Sequence, residues 1–331
     1  MEVKKMIKQL CLLALIVLIF LLLNLSVFEL ITRRLDNNFG GTDSAKMIDV
    51  SRFLPFEEAS KLAKTETDFR LSENLPVLDG AAALVPVYAA IIDNIYPEGC
   101  VTYEGGSFSD DNFYGENFAQ DSKMQYKNSV RGFDAIINGD TDIFFCAMPS
   151  NVQKEKAEEL QVELEYIPIG YEAFVFFVNS NNPVNSLTTE QIREIYDGSI
   201  KKWSEVGGTD EYINPLTRLE GSGSQNAMES FMGERKTADK SPMACFGKSI
   251  GYSFRYYLND LVADSNVKML ALNGVYPDKD SIRNGEYPVV MQFFAVVRKD
   301  NANPNVGKLI DWILSEEGQK LIEDTGYVGV R

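Results

Sequence analysis

A chain of 331 residues, 45% hydrophobic and 11% aromatic, is long enough for two domains and apolar enough for packed cores, which excludes a disordered chain. Its net charge of −16 excludes nucleic acid and anionic membrane surfaces as partners, since those demand a basic face. The absence of histidine removes Ser-His-Asp and Cys-His catalysis, histidine metal sites and the usual general base, so the chain reads as a non-enzyme with no catalytic residue, metal or cofactor. A small anion is still a permitted ligand, because backbone dipoles and one arginine act locally while distant charges are screened over about 10 Å.

Leu10–Phe28 holds only Asn24 and Ser26 as polar residues and follows Lys4, Lys5 and Lys8. At helical rise this run matches a hydrocarbon core of about 30 Å, and the lysines favour an N-terminus left in the cytoplasm. Arg33 and Arg34 on the far side work against that orientation. No small-x-small cleavage site follows, and Cys11 stands at the wrong end for a lipoprotein cysteine. Residues 1–35 are therefore expected to form a signal anchor with one transmembrane helix, a cleaved signal peptide being the alternative. The binding domain is expected to be extracytoplasmic in a single-pass protein of the cell membrane. Residues 36–74 are polar apart from RFLPFEEASKLA, a candidate short helix, and read as a tether or a docking segment.

In LPVLDGAAALVPVYAAIIDNIYP, Val77–Leu78 reads as a strand end, Asp79–Ala82 as a turn, and Leu84, Val87, Tyr88, Ile91 and Ile95 as one helix face. The turn is either a plain β-α connection or a further source of backbone N–H groups for an anion. An acidic, glycine-rich loop follows around Glu104–Asn117. Val130, Phe133, Ile136 and Ile137 then predict a helix capped by Asn128 or Ser129, with Gly139 as its C′ residue. Asp142 stands at the entrance of a buried strand over Ile143–Met148. Ala173–Val178 and Phe293–Val297 are apolar throughout, as strands covered on both faces are. Between them lies a helix with a capping box at Thr188 and Gln191 that turns Ile192, Ile195 and Tyr196 inward, followed by Trp203 and SIGYSFRYY. From Asn303 a long helix is expected through Val306, Leu309, Ile310 and Ile313. Strands alternate with helices and no fixed repeat occurs, which defines an α/β architecture.

Thr217–Met232, TRLEGSGSQNAMESFM, reads as a strand that runs into a glycine-serine turn and opens a helix carrying Ala227, Met228 and Phe231 inward. Gly221, Ser222, Gly223 and Ser224 fall where the first helical N–H groups have no internal partner. Those donors, two hydroxyls and the planar fork of Arg218 suit an oxyanion, and Glu220 is placed to orient the arginine. A flexible serine-glycine linker is the competing reading. Of the cysteines, Cys146 lies in an apolar run and reads as a buried thiol, while the pairing of Cys100 and Cys245 is left open and no spacing indicates zinc.

Several segments together resemble the solute-binding proteins of phosphate ABC transporters, of the type 2 periplasmic-binding-protein fold. They are DGAAALVPVY, INGDTDIFF, GYEAFVFFVNSNNPVNSLTTEQIREIYDGSIKKWSEVGG, TRLEGSGSQNAMESFM, SIGYSF and NPNVGKLIDWILSEEGQKLIEDTGYV, in the family's order over Leu75–Val330. The resemblance implies a two-lobed α/β clamp whose lobes are joined by two crossing strands, here near Ala173–Val178 and Val289–Val297. Lobe 1 would comprise residues 75–170 and 293–331, and lobe 2 residues 171–292. Carried over by motif, a phosphate-binding pocket would use Arg218, Ser222, Gly223 and Ser224 from one lobe, with Glu220 in support. From the other it would use Ala82, Ala83, Ser129 and Asp142, the last accepting the proton of a protonated phosphate and thereby rejecting sulfate. The implied partners are inorganic phosphate and the permease and ATPase subunits of an ABC transporter, with the receptor a monomer. One departure stands out: the family's first turn reads G-S-T or G-A-T, whereas here it is Gly80-Ala81-Ala82, so a threonine hydroxyl is missing. That loss, with the anchor, keeps open a non-transport binding module on the same fold, a sensor, adhesin or partner-docking protein taking another oxyanion or no ligand.

Overall fold

The computed structural model describes residues 8, 12, 13, 15–27, 50–105, 118–218, 220–238, 247–262 and 266–330. Within the expected anchor, residues 15–27 are helical and their apolar side chains, from Leu15 to Val27, stay about half exposed or more. Among the described residues no helix is long and apolar enough to cross a membrane. Apart from residues 8, 12 and 13, the rest of the anchor range lies outside the described residues, as do residues 36–49, most of the acidic loop and Cys245.

The main sheet runs β1-β2-β9-β3-β6-β5 across the molecule, with β10 and β7 also pairing β3. β1 is Leu78–Gly80, β2 Ile143–Ala147, β3 Leu164–Asn179, β5 Ile213–Pro215, β6 Lys248–Phe254, β7 Val267–Met269, β9 Val290–Arg298 and β10 Val328–Gly329. A small parallel pair joins β4, Ser186–Leu187, to β8, Ala271–Leu272. The helices are α1 (Val85–Ile95), α2 (Asn128–Asn138), α3 (Asn151–Glu159), α4 (Thr189–Tyr196), α5 (Gly223–Met232), α6 (Lys279–Arg283), α7 (Val306–Ile313) and α8 (Glu316–Asp324).

β3 is the element that makes one sheet serve two cores. Over Leu164–Ala173 it pairs antiparallel with β9, and over Phe174–Asn179 with β6 and β7. The apolar runs read from the sequence follow from two-sided burial. In β2, Ile143 and Phe145 enter a core shared with α1, α7 and α8, while Phe144 and Cys146 face α2 through Phe133, Ile136 and Ile137. In β9, Phe293, Ala295 and Val297 take the first side and Phe294 and Val296 the second. Such period-2 alternation of two apolar faces needs no polar residue along the strand. Beyond the crossing, Phe174 and Phe176 join Trp203, Tyr196, Tyr252 and Phe231 in a separate core. At the crossing itself the buried Glu172 carboxylate accepts from Arg255 Nε at 3.0 Å and from the Ala173 and Tyr256 N–H groups. Arg255 Nη2 in turn donates to Gly326 O at 2.7 Å, so one ion pair ties β3 to the chain beyond β6 and to the C-terminal segment.

Of the tether and docking alternatives, residues 50–74 take the second: Val50, Phe53 and Leu71 enter the first core, and Phe69 stacks on Trp312 with ring centroids 6.2 Å apart. Three local expectations change. Within RFLPFEEASKLA the only helical stretch is part of a short 3-10 turn, Val50–Phe53, because Pro55 disfavours helical geometry at Leu54. The expected C-terminal helix is two helices, since the Ser315 hydroxyl accepts the Gly318 N–H at 3.3 Å and starts α8 afresh. The strand expected at Thr217 ends earlier, at Pro215. The capping box of Thr188 with Gln191 and the left-handed Gly139 after α2, φ 83°, are found where the sequence places them.

Gly80 is required by close approach. A Cβ there would lie 2.7 Å from the Tyr88 ring and 2.9 Å from Phe145 O. Gly80→Ala is therefore expected to destabilise the fold by about 1–3 kcal/mol through overpacking, measured as a shift of the urea midpoint at unchanged slope.

Candidate functional site

The half of the site on the second core begins where β5 ends. The Arg218 N–H donates to Gln225 Oε1 at 3.2 Å and to Tyr252 Oη at 3.1 Å, which fixes the backbone that leads into α5. Gly221 turns the chain with φ 77°, a left-handed value suited to glycine. Ser222 is the N-cap, and its Oγ accepts the Gln225 N–H at 3.3 Å. The first intrahelical bond is Asn226 N–H to Ser222 O, so the Gly223 and Ser224 N–H groups stand ahead of it at the positive end of the helix.

On the first core, β1 delivers the chain into a 3-10 turn over Ala82–Leu84, with Ala81 in extended geometry and no side-chain cap. Leu84 N–H makes the first bond, to Ala81 O, which leaves the half-buried Ala82 and Ala83 N–H groups ahead of it. Beside this turn lies the start of α2. Its N-cap, Lys127, supplies no side-chain bond; instead Asn128, at φ 61°, accepts the Ser129 N–H on its own Oδ1 at 2.7 Å. Asn128 thus takes the capping role from inside the helix. Asp79 connects turn and helix, its Oδ1 accepting the Gly80 N–H at 2.7 Å and the Lys127 N–H at 2.9 Å. Its Oδ2 is buried without a hydrogen-bond partner, and burial pushes the carboxyl up to about 6 against the pull of those two N–H groups.

The two halves meet. A Cβ built on Gly223 would lie 3.5 Å from Ser129 Oγ, and one on Gly221 would lie 3.4 Å from Val130 Cγ2. The N-termini of α2 and α5 therefore abut, two positive helix ends without an intervening carboxylate from the predicted set. Ser129, Ser222, Gly223 and Ser224 belong to this seam, the turn of Ala82 and Ala83 is tied to the start of α2 through Asp79, and the half-buried Arg218 adjoins the seam through the first turn of α5. A cleft of about 600 Å³ beside the seam is lined by Met148, Ser150, Lys154, Asn226, Glu229 and Gln292, among others.

Two predicted residues are placed elsewhere. Asp142 sits before the first residue of β2, and the parallel register Leu78↔Ile143 puts it level with Val77, four residues before Ala81. At strand rise that is roughly 13 Å from the turn. Its oxygens accept from Val77 N–H at 2.8 Å and Asn301 Nδ2 at 2.9 Å, so it anchors the sheet's far end rather than meeting a ligand at the seam. Glu220 is exposed, beside the turn that Gly221 makes with φ 77°. Among the described residues no group of acidic or cysteine side chains forms a metal site. Cys146 is a buried thiol raised by burial, and Cys100 is a half-buried thiol pushed up to about 11; neither is in a disulfide.

This arrangement, two cores joined by crossing strands with helix N-termini facing across a seam, defines the two-lobed binding-protein class of fold. The chain belongs to the PBP superfamily: the family model described as "PBP superfamily domain" matches residues 111–317. The chain is similar to the "Phosphate-binding protein PstS" of Borreliella burgdorferi, 24% identical over 53% of this chain and 69% of the relative. It is also similar to the protein of the same name from Bacillus subtilis, 26% identical over 66% of this chain and 74% of the relative. "Protein SphX" of Synechococcus elongatus is 26% identical over 76% of this chain and 86% of its own. A putative phosphate ABC transporter substrate-binding protein from Clostridium perfringens, solved with bound phosphate, superposes with a TM-score of 0.56 at 23% identity, covering 79% of this chain and 100% of that one. The resemblance to phosphate solute-binding proteins read from the motifs is thus borne out, and the shared fold with it.

Sequence reading passed over Asp79, Gln153 and Asn226. Asp79 was legible only as part of a turn, and its position between strand end and helix start is a tertiary fact. Ser150 and Gln153 do carry the S-x-x-Q spacing of a capping box, which the structure forms. Nothing in the sequence marks Asn226.

Because the folded-state carboxyl of Asp79 is raised above its unfolded value of about 3.9, the native state binds the proton more tightly, and this group's contribution falls as pH rises from about 4 through 6. Asp79→Asn keeps an acceptor for both N–H groups and removes that cost. It is expected to stabilise the protein by roughly 2–3 kcal/mol at pH 7.5 with little gain at pH 4, read from urea unfolding at the two pH values.

Proposed function

We propose that this chain captures inorganic phosphate between its two lobes outside the cell and delivers it to an ABC permease and its ATPase. The observation that carries the proposal is the meeting of the α2 and α5 N-termini at Ser129 and Gly223. Two like dipole ends repel unless an anion sits between them, and the Gly223 and Ser224 N–H groups at the start of α5 supply donors such an anion needs. Arg218 adds a cation, and Ser129, Ser222 and Ser224 add hydroxyls. The relatives' names support phosphate as the oxyanion, and the closed seam supports a receptor whose ligand makes contacts in both lobes. A permease can then recognise the loaded state by shape. The apolar run Leu10–Phe28, whose described side chains have no protein cover, is proposed as the membrane anchor that holds a monomeric receptor at the surface.

A second reading, a sensor or partner-docking module taking another oxyanion, is favoured by two features of the site itself. The turn carries Ala81 and Ala82 without a hydroxyl, and Asp142 lies away from the seam, so the carboxylate expected to reject sulfate is not there. Weak discrimination between phosphate and sulfate follows from that geometry.

Calorimetric titration of the full chain in detergent separates the readings. Phosphate is expected to bind, Arg218→Met to weaken it about 10- to 150-fold, and Ala82→Thr to tighten it, since a bond to a charged partner contributes about 1.5–3 kcal/mol. No heat with millimolar phosphate would sink the receptor. Sulfate bound as tightly as phosphate would favour the second reading.

A further inference from the structure

We infer that Gln153 and Asn226 form the closure latch of the clamp, an inference that rests on the two-lobed ligand-binding reading above. Gln153 is the third residue of α3, on the first lobe, and its side chain is already committed by the capping box: Ser150 N–H donates to its Oε1 at 3.0 Å, and its own N–H donates to Ser150 Oγ at 3.2 Å. The same Oε1 accepts a second bond, at 3.0 Å, from Nδ2 of Asn226, which belongs to α5 on the other lobe. Gln153 Nε2 points the other way, to Ser129 O at 3.5 Å. One carboxamide therefore joins the starts of α2 and α3 to the helix that carries Ser222 and Gly223.

The arrangement has the properties of a latch rather than of a permanent tie. The acceptor is held by its cap, a contact within one lobe that does not depend on closure, so engaging it orders little that is not ordered already. The donor sits on a helix, where side chains tilt toward the N-terminus, so the Asn226 amide lies over the turn that begins at Ser222. Asn226 is only 9% exposed, and its Oδ1 has no hydrogen-bond partner. Closing the seam thus satisfies one end of the amide and buries the other unpaired. A latch of this kind holds a clamp that a ligand has shut, but rewards closure too little to shut it alone. Gln153 and Asn226 accordingly act as positioning residues: they set how long the lobes stay together and hold the Ser129 turn against α5.

The full chain in detergent micelles provides the test, with two readouts: stopped-flow release of inorganic phosphate, and hydrogen exchange of peptides covering α3 and α5 with and without phosphate. Asn226→Leu is expected to release phosphate roughly ten-fold faster with association within about two-fold, and to lose exchange protection in the first turns of both helices. Gln153→Leu, which removes the acceptor for Asn226 Nδ2, is expected to follow Asn226→Leu. Asn226→Ala, which only truncates, guards against a folding defect in the leucine variant. Unchanged release and exchange in both Asn226 variants would overturn the latch. A parent chain that takes up no phosphate would overturn the phosphate reading instead, and the exchange comparison is then made with sulfate, where equal protection in the parent and both Asn226 variants would overturn the latch.

Discussion

Two helix N-termini that face each other carry an electrostatic cost, and much of this molecule is arranged to hold them there. The starts of α2 and α5 abut at Ser129 and Gly223, with uncapped N–H groups of Ala82 and Ala83 on a third start close by through Asp79. Each positive end is tolerable in water; brought together in a half-buried seam, they are satisfied best by a small anion with oxygens on several sides. This is local chemistry, which is why it coexists with a net charge of −16. It also accounts for the buried carboxyl at Asp79. Raised to about 6, that carboxyl offsets part of the helix-end charge without occupying the place where a ligand would sit.

Holding the helix ends in place falls to the crossing strands. β3 contributes to both cores, and the lobes are therefore two stretches of a single sheet rather than separate bodies on a linker. The Glu172–Arg255 pair marks the point of crossing and reaches the C-terminal segment at Gly326. Removing one partner of such a buried pair is far more costly than the pair is stabilising, so its value lies in fixing geometry at the crossing. The docking of residues 50–74 along α1 and α7 adds to the first lobe's rigidity, through Phe53, Leu71 and the Phe69–Trp312 stack.

How far the site was legible depended on whether the chemistry was local. The GSGS turn, the cap at Ser222 and the arginine before it are all within one short stretch, and the sequence displays them directly. The turn before α1 was legible as a strand end leading into a helix, while Ala82 and Ala83 enter the proposed pocket through the family resemblance. Asp142 misled because a strand has two ends: proximity to β2 in sequence says nothing about which end faces the seam, and only the parallel register with β1 settles that. Glu220 is exposed beside the Gly221 turn, and which way a turn residue points is not written in its local sequence.

By itself, then, the sequence determined the alternation of strands and helices, the doubly covered apolar strands, the capping box at Thr188 and the anion-suited start of α5, because each is written in residue spacing over a dozen positions or fewer. Only the tertiary structure decided that the C-terminal helix breaks at Ser315, that residues 50–74 pack instead of dangling, and that Gln153 meets Asn226. Those outcomes pair residues tens of positions apart, or choose between a local cap and helix continuation. Their energies come from burial and from hydrogen bonds that exist only once both partners have been brought to the same place.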